Sequence, residues 1–168
     1  KCMAPVAGKP FIAHVIDFCI EEGVTNFILS LGYKSEVIIN YVSFQYPQLN
    51  VDYAIEEEPL GTGGGIQLAC RKSKETSVLV LNGDTLFRVN LQQLSYFHFS
   101  NNAECTLALK LMTDFNRYGV VELNSNSSIS SFKEKQFYKK GNINGGVYII
   151  NKDDLLSKQL PSKFSFEK

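Results

Sequence analysis

Val78-Leu79-Val80-Leu81-Asn82-Gly83-Asp84 decides the fold. Its first four residues are the most strand-like run in the chain and are apolar on both faces. That pattern suits a central strand of a parallel sheet, covered by helices on both sides. The polar tripeptide behind it then falls at the carboxyl end of the strand, where open α/β sheets take their ligands. Gly83 leaves room for backbone or ligand to come close, and Asp84 puts a carboxylate at that edge.

Towards the N-terminus, helical and strand-like spacing alternate. Phe11, Ile12, Val15, Ile16, Cys19 and Ile20 recur at helical spacing, with Pro10 suited to the first turn and Gly23 closing the run. Residues 27–31 read as a short apolar strand. Ser35 is placed to cap a second helix reaching Phe44, and Pro47 forbids its continuation. Residues 51–55 alternate as a strand, and the glycine cluster from Gly61 to Gly65 leads into a third helix ending near Cys70. Towards the C-terminus, Asn90 caps a helix reaching Phe99, and residues 106–111 form a strand. The pattern then changes: residues 120–123, 129–132 and 147–150 are short strands, with no long helix between the first two. Alternating units followed by a strand-rich part predict an α/β fold, a mostly parallel mixed sheet with an added antiparallel region. Residues 124–131 form a polar turn too short to divide domains, so residues 1–168 are expected to be one domain.

Composition excludes several classes. The 168 residues carry 17 Lys+Arg against 17 Asp+Glu, without the basic excess of a nucleic-acid binder. No apolar run approaches the roughly 20 residues of a membrane span. Cys2, Cys19, Cys70 and Cys105 are widely spaced, with no Cys-x-x-Cys, and His14 and His98 lie far from any such pair. These spacings argue against zinc and for free or buried thiols in a reducing compartment, so the expected location is the cytoplasm.

The segments able to carry chemistry each have a plain structural alternative. Asp84 suits a hard cation such as Mg2+, which takes one or two carboxylates together with phosphate oxygens. Equally, it could cap the turn after its strand. Pro59-Leu60-Gly61-Thr62-Gly63-Gly64-Gly65 exposes backbone N–H groups to a flat ring or a phosphate, but lacks the spacing of a P-loop or a Gly-x-Gly-x-x-Gly fingerprint. Its alternative is a turn whose glycines serve helix packing. Lys133-Glu134-Lys135 could grip sugar hydroxyls and a phosphate, or could be an exposed charged loop. Asn144-Gly145-Gly146-Val147-Tyr148 reads locally as a turn before a strand. The histidines sit in helices beside apolar neighbours, and core or surface positions explain them better than catalysis.

Taken together, these segments resemble the sugar-1-phosphate nucleotidyltransferases. The N-terminal run Lys1-Cys2-Met3-Ala4-Pro5-Val6-Ala7-Gly8-Lys9-Pro10 looks like the tail of that family's signature. Glu58-Pro59-Leu60-Gly61-Thr62-Gly63-Gly64, Leu81-Asn82-Gly83-Asp84, Arg117-Tyr118-Gly119-Val120-Val121, Phe132-Lys133-Glu134-Lys135 and Asn144-Gly145-Gly146-Val147-Tyr148 match the remainder in order. Within the family the likeness is nearest to the guanylyltransferases of heptose and mannose 1-phosphates. It is carried by Asp114-Phe115-Asn116-Arg117-Tyr118-Gly119, Ile143-Asn144-Gly145-Gly146 and Phe164-Ser165-Phe166-Glu167.

The resemblance implies a Rossmann-like, nucleotide-diphospho-sugar transferase-like fold with helices on both faces and a small antiparallel sugar-binding region. It implies catalytic roles for Lys1, Asp84 and Lys135, with Asp84 holding Mg2+ beside the α-phosphate. Glu56, Pro59, Leu60, Gly61, Thr62 and Gly63 would hold the nucleotide base. Gly119, Glu134, Asn144 and Gly145 would hold the sugar, and Lys135 its phosphate. The partners would be a nucleoside triphosphate and a sugar 1-phosphate, with no nucleic acid and no membrane; a homo-oligomer is left open. The family's Gly-Gly-x-Gly-Thr-Arg loop would precede Lys1, and a second metal-binding aspartate would follow Lys168. On that expectation the chain is a catalytic domain shortened at both ends, unable to turn over alone. Competing readings are a non-catalytic nucleotide-sugar-binding regulatory domain on the same fold and a glycosyltransferase. The latter would need an Asp-x-Asp motif, which Asn82-Gly83-Asp84 is not.

Overall fold

The computed structural model describes residues 1–167 and is a mixed α/β structure. The chain divides into two compact units, one comprising Lys1–Val78 with the segment from Ile150 onward, the other Leu79–Ile149.

In the first unit a small hairpin joins β1 (Pro5–Val6) to β2 (Lys9–Pro10). Its turn residues Ala7 and Gly8 both have positive φ, 47° and 85°, the conformation a two-residue type I′ turn requires. Helix α1 (Phe11–Glu21) follows directly, with Pro10 as its N-cap at ψ 146° and not within its first turn. Strands β3 (Asn26–Leu31) and β4 (Asn50–Ile55) pair in parallel, with Asn26 opposite Asn50 and Leu31 opposite Ile55. The Asn50 amide donates to Asn26 Oδ1 at 2.8 Å, fixing the start of this register. Helix α2 (Ser35–Gln45) connects the two strands. Ser35 is its first helical residue and makes no capping bond; the N-cap is Lys34, in the left-handed region at φ 58°. Ile12, Ala13 and Ile16 from α1, Leu31 from β3 and Ile38 and Val42 from α2 form the core. Helix α3 (Gly61–Cys70) packs against β3 and β4, and against α5 (Lys152–Ser157). Asn151 caps α5, its Oδ1 accepting from Asp153 and Asp154 N–H.

A second polar set ties the hairpin to both helices. Lys9 pairs with Asp17 on α1, and the Tyr46 hydroxyl donates to Asp17 Oδ1 at 2.7 Å. Burial alone would push the Asp17 carboxyl up. The hydrogen bonds from Lys9 and Tyr46, with the Lys9 charge, outweigh that and hold it below the usual carboxylate range.

The second unit is built on a three-stranded sheet in the order β5-β9-β6, from β5 (Ser77–Leu81), β6 (Cys105–Phe115) and β9 (Tyr138–Asn151). β5 lies at one margin of this sheet, and every residue in it is only half-buried. Its apolar run therefore forms a strand as expected, but not one enclosed on both faces. Only β9 pairs with it among the described residues, so no strand covers its other edge. β9 is fourteen residues long, far beyond the expected 147–150, and β6 runs on to Phe115. Helix α4 (Leu91–Ser100) packs on β6, and Asn90 caps it, accepting from Gln93 N–H at 2.7 Å. His98 is buried in this contact and bonded to the Thr106 hydroxyl at 2.9 Å. Burial holds its pKa below the ordinary histidine value. β7 (Val121–Leu123) and β8 (Ile129–Phe132) form the antiparallel ribbon foreseen from the sequence.

All four cysteines are free thiols, two of them, Cys19 and Cys70, buried. Burial pushes both of these thiols up to about 11, out of reach of thiolate chemistry at neutral pH. Among the described residues no helix is long and apolar enough to cross a membrane.

Candidate active site

The carboxyl ends of β3 and β4 meet where Glu56 N–H donates to the Leu31 carbonyl at 2.8 Å. Glu56 then folds back on its own turn. Its Oε2 accepts from Leu60 N–H at 3.1 Å, and its Oε1 lies 3.4 Å from the Ser30 hydroxyl. That hydroxyl also reaches the Gly65 carbonyl at 3.1 Å. Glu56 thus closes the turn that delivers the chain into α3. A Cβ on Gly65 would come 2.7 Å from Glu56 Oε1, so the glycine makes room for the carboxylate. Glu57, Glu58, Pro59, Gly61 and Thr62 are exposed along this turn, while Gly63, Gly64 and Gly65 are buried.

The segment 162–164 packs closely on Gly61, Gly63 and Gly64. A Cβ on Gly61 would meet the Phe164 carbonyl oxygen at 2.6 Å, one on Gly63 the Phe164 ring at 2.1 Å, and one on Gly64 the Ser162 carbonyl oxygen at 2.5 Å. Gly61 also has φ +73°. The packing alternative for the glycine cluster therefore holds for Gly61, Gly63 and Gly64. It does not compete with a ligand role for the exposed part of the turn. Lys1 is exposed, and its carbonyl accepts from Ala4 N–H at 2.9 Å.

In the second unit, Asn82-Gly83-Asp84 leaves β5 in a tight turn, with Thr85 N–H donating to the Asn82 carbonyl at 3.3 Å. Asn82 N–H donates to the Gly146 carbonyl at 2.9 Å, tying this loop to β9. Asp84 is exposed, and its carboxylate takes no hydrogen bond or ion pair among the described residues. A turn cap would be bonded to backbone N–H, so the capping alternative fails. No group of three or more His, Cys, Asp or Glu able to hold a metal occurs among the described residues. A free single carboxylate suits Mg2+ that takes its other ligands from phosphate and water.

Gly119 stands against the backbone that follows β8. A Cβ there would lie 2.3 Å from the Lys133 carbonyl oxygen, and Lys133 N–H donates to the Val120 carbonyl at 2.8 Å. The charged triplet is divided by its partners. Lys133 pairs with Glu122 at 3.3 Å, and the Ser131 hydroxyl donates to the same carboxylate at 2.8 Å. These bonds, that of Ser131 first, hold the Glu122 carboxyl below its usual range. Glu134 and Lys135 are exposed with side chains uncommitted among the described residues, and the Tyr138 hydroxyl anchors the Glu134 carbonyl at 3.0 Å. Asn144 is half-buried. Its Oδ1 accepts from Gly146 N–H at 2.7 Å, and its amide donates to the Tyr148 hydroxyl at 2.7 Å. Gly145 is buried where a Cβ would strike the Phe87 ring at 2.1 Å.

Residues 1–163 match the nucleotidyl transferase family. The chain belongs to that family. It is 47% identical over 167 residues to the D-glycero-alpha-D-manno-heptose 1-phosphate guanylyltransferase of Aneurinibacillus thermoaerophilus, covering 99% of this chain and 72% of that one. The protein of the same name from Campylobacter jejuni is 41% identical over 167 residues, covering 99% and 73%. The crystal structure of HddC from Yersinia pseudotuberculosis complexed with GMP-PN superposes with a TM-score of 0.89 at 34% identity, covering 99% of this chain and 73% of that one.

For this nucleotidyl transferase, sequence reasoning missed the partner of its glycine cluster. A signal existed: α3 holds Gly61, Gly63, Gly64 and Gly65 within its first five residues. Each helical glycine costs roughly 0.5–1 kcal/mol against alanine, so a cluster needs close neighbours to justify it. The hydrogen bonds of Glu56 and Asn144 to their own turns were also not legible, because each depends on where the chain folds back.

Proposed function

We propose that this chain is the catalytic part of a guanylyltransferase that joins GTP and a heptose 1-phosphate to give GDP-heptose and pyrophosphate. The observation that carries the reading is the 47% identity over 167 residues to a heptose 1-phosphate guanylyltransferase. The choice of guanine is further supported by the likeness to a structure holding GMP-PN. A phosphate oxygen of the sugar 1-phosphate attacks the α-phosphorus of GTP in line. The bond between the α-phosphorus and the α–β bridging oxygen breaks, and pyrophosphate leaves with its electron pair. No residue is covalently modified, so the chain contributes positioning and charge neutralisation.

In this reading the turn at 56–63 seats the base through its exposed residues Glu57, Glu58, Pro59, Gly61 and Thr62, with Glu56 shaping the turn from within. Asp84 holds Mg2+, which supplies charge neutralisation at the phosphates when bound. Lys1 meets the triphosphate. Glu134 accepts hydrogen bonds from sugar hydroxyls, Lys135 faces the sugar's phosphate, and Gly119, Asn144 and Gly145 fix the backbone around them. The free carboxylates of Asp84 and Glu134 and the free ammonium of Lys135 support this division, because charged groups without protein partners remain available to ligand. The test is a panel of the four nucleoside triphosphates against heptose and mannose 1-phosphates with the full-length protein, scored by pyrophosphate release. GTP with a heptose 1-phosphate should give the highest kcat/KM. Preference for another base or for mannose 1-phosphate would overturn the respective half of the reading, and binding without turnover would favour a regulatory domain.

A further inference from the structure

The exposed turn proposed for the base is laced from one side by the segment 162–166. The Phe164 carbonyl accepts from Gly63 N–H at 3.0 Å, and Phe164 N–H donates to the Leu60 carbonyl at 3.0 Å. Two residues on, Phe166 N–H donates to the Thr62 hydroxyl oxygen at 3.0 Å. The Phe164 ring occupies the space that a Cβ on Gly63 would need. Three residues of the turn's rim, Leu60, Thr62 and Gly63, therefore have polar groups aimed at this strap. The mutual fit leaves little slack, since interiors packed this closely transmit a shift instead of absorbing it.

We propose that Phe164 is a positioning residue for the nucleotide: the strap 162–166 sets the turn's backbone and so governs affinity for the triphosphate. This rests on the reading that the turn holds the base. It also narrows how the base is recognised. The Leu60 carbonyl and the Gly63 N–H are engaged by Phe164, which leaves recognition to the exposed groups of Glu57, Glu58, Pro59 and Gly61 and to the Thr62 O–H. That hydroxyl accepts from Phe166 N–H and so keeps its own proton to donate.

The test uses Phe164→Ala, Phe164→Leu, Gly63→Ala and the Gly63→Ala/Phe164→Ala double variant of the full-length protein. Thermal unfolding reports docking of the strap, and KM for each substrate reports its effect on the site. Gly63→Ala alone should destabilise, and should cost much less once the Phe164 ring is removed. Such non-additivity is the mark of two groups competing for one space. Phe164→Ala should raise KM for the nucleoside triphosphate on the order of 10-fold, the loss of roughly one hydrogen bond to the base, and leave KM for the sugar phosphate within about twofold. Phe164→Leu should restore part of the loss. Pro59→Ala, in the turn but unbonded to the strap, separates the two ideas. If Pro59→Ala raises the nucleotide KM and Phe164→Ala does not, the strap proposal falls and the base-binding turn stands. If neither does, both fall.

Discussion

Gly119→Ala tests the proposed sugar side of the site most sharply. The added methyl would stand 2.3 Å from the Lys133 carbonyl oxygen, where ordinary contacts begin at 3.4 Å, so the two backbones must part by about 1 Å. The neighbour is backbone, not a flexible side-chain end, and Lys133 is further held by its bond to the Val120 carbonyl. Relief must therefore come by pushing residues 133–135 outward, which carries Glu134 and Lys135 with them. Overpacking of this kind costs about 1–3 kcal/mol of stability. A displacement near 1 Å at groups that orient a reactant costs up to about 100-fold in rate. Expected in the full-length protein are a modest fall in the urea midpoint and a drop in kcat/KM for the sugar phosphate approaching 100-fold. KM for the nucleoside triphosphate should move by less than about threefold. Pyrophosphate release with each substrate varied in turn measures the split. A folded variant that loses equally on both substrates, or on neither, would refute the claim that Gly119 positions the loop carrying Glu134 and Lys135.

Asp84→Asn should lower kcat on the order of 100-fold, the scale for losing one electrostatic partner of a transition state; near-normal turnover with Mg2+ would remove Asp84 as the metal's ligand. Lys135→Met should raise KM for the sugar phosphate by roughly 10-fold or more, as a charged hydrogen bond is worth about 1.5–3 kcal/mol. Lys133→Met should do much less, because its ammonium is already committed to Glu122, and a reversed ranking of the two lysines would reassign the phosphate contact. The depressed Asp17 carboxyl contributes stability that is fully present above its unfolded value near 4 and is lost as pH falls through its lower folded value. Urea midpoints between pH 5 and pH 2 should therefore fall less steeply in Asp17→Asn than in the parent, and parallel curves would show that the Lys9–Asp17–Tyr46 set does not carry acid stability.

Local pattern read well wherever the physics is local. The helical spacing of Ile12, Val15, Ile16 and Cys19 produced α1, and the Asn90 side chain does cap α4. The side chains of Asp84, Glu134 and Lys135 have no protein partner among the described residues, which leaves open the ligand roles the sequence suggests. Reading failed where distant chain decides. Asn144, Gly145 and Gly146 read as a turn before a strand at 147–150, yet they lie inside β9, which begins at Tyr138, because pairing in the sheet satisfies backbone groups whatever the side chains are. A Cβ at Gly141 would meet a Val120 methyl at 2.6 Å, so a glycine suits this position in the strand. Ser35 has the chemistry of a cap, but Lys34 takes the left-handed bend that turns the chain into α2 and leaves the serine inside the helix. Glycines after a strand suggested a bound ring; the ring that fills the space at Gly63 is Phe164.

The hydrogen bond between Phe166 and Thr62 spans 104 positions of sequence. A ten-residue helix with glycine at four of its first five positions cannot hold itself together alone. Its first turn is held from within by Glu56 and from outside by the strap. During synthesis on the ribosome, at about 5–20 residues per second, the residues of the turn emerge well before the strap that shapes them. The two parallel strands beneath can pair in that interval, since both precede the turn. The turn can therefore gain its full set of hydrogen bonds only after residues 162–166 have been made. A nascent chain halted before Phe164 would carry every residue of the turn and lack the bonds that Phe164 and Phe166 give it.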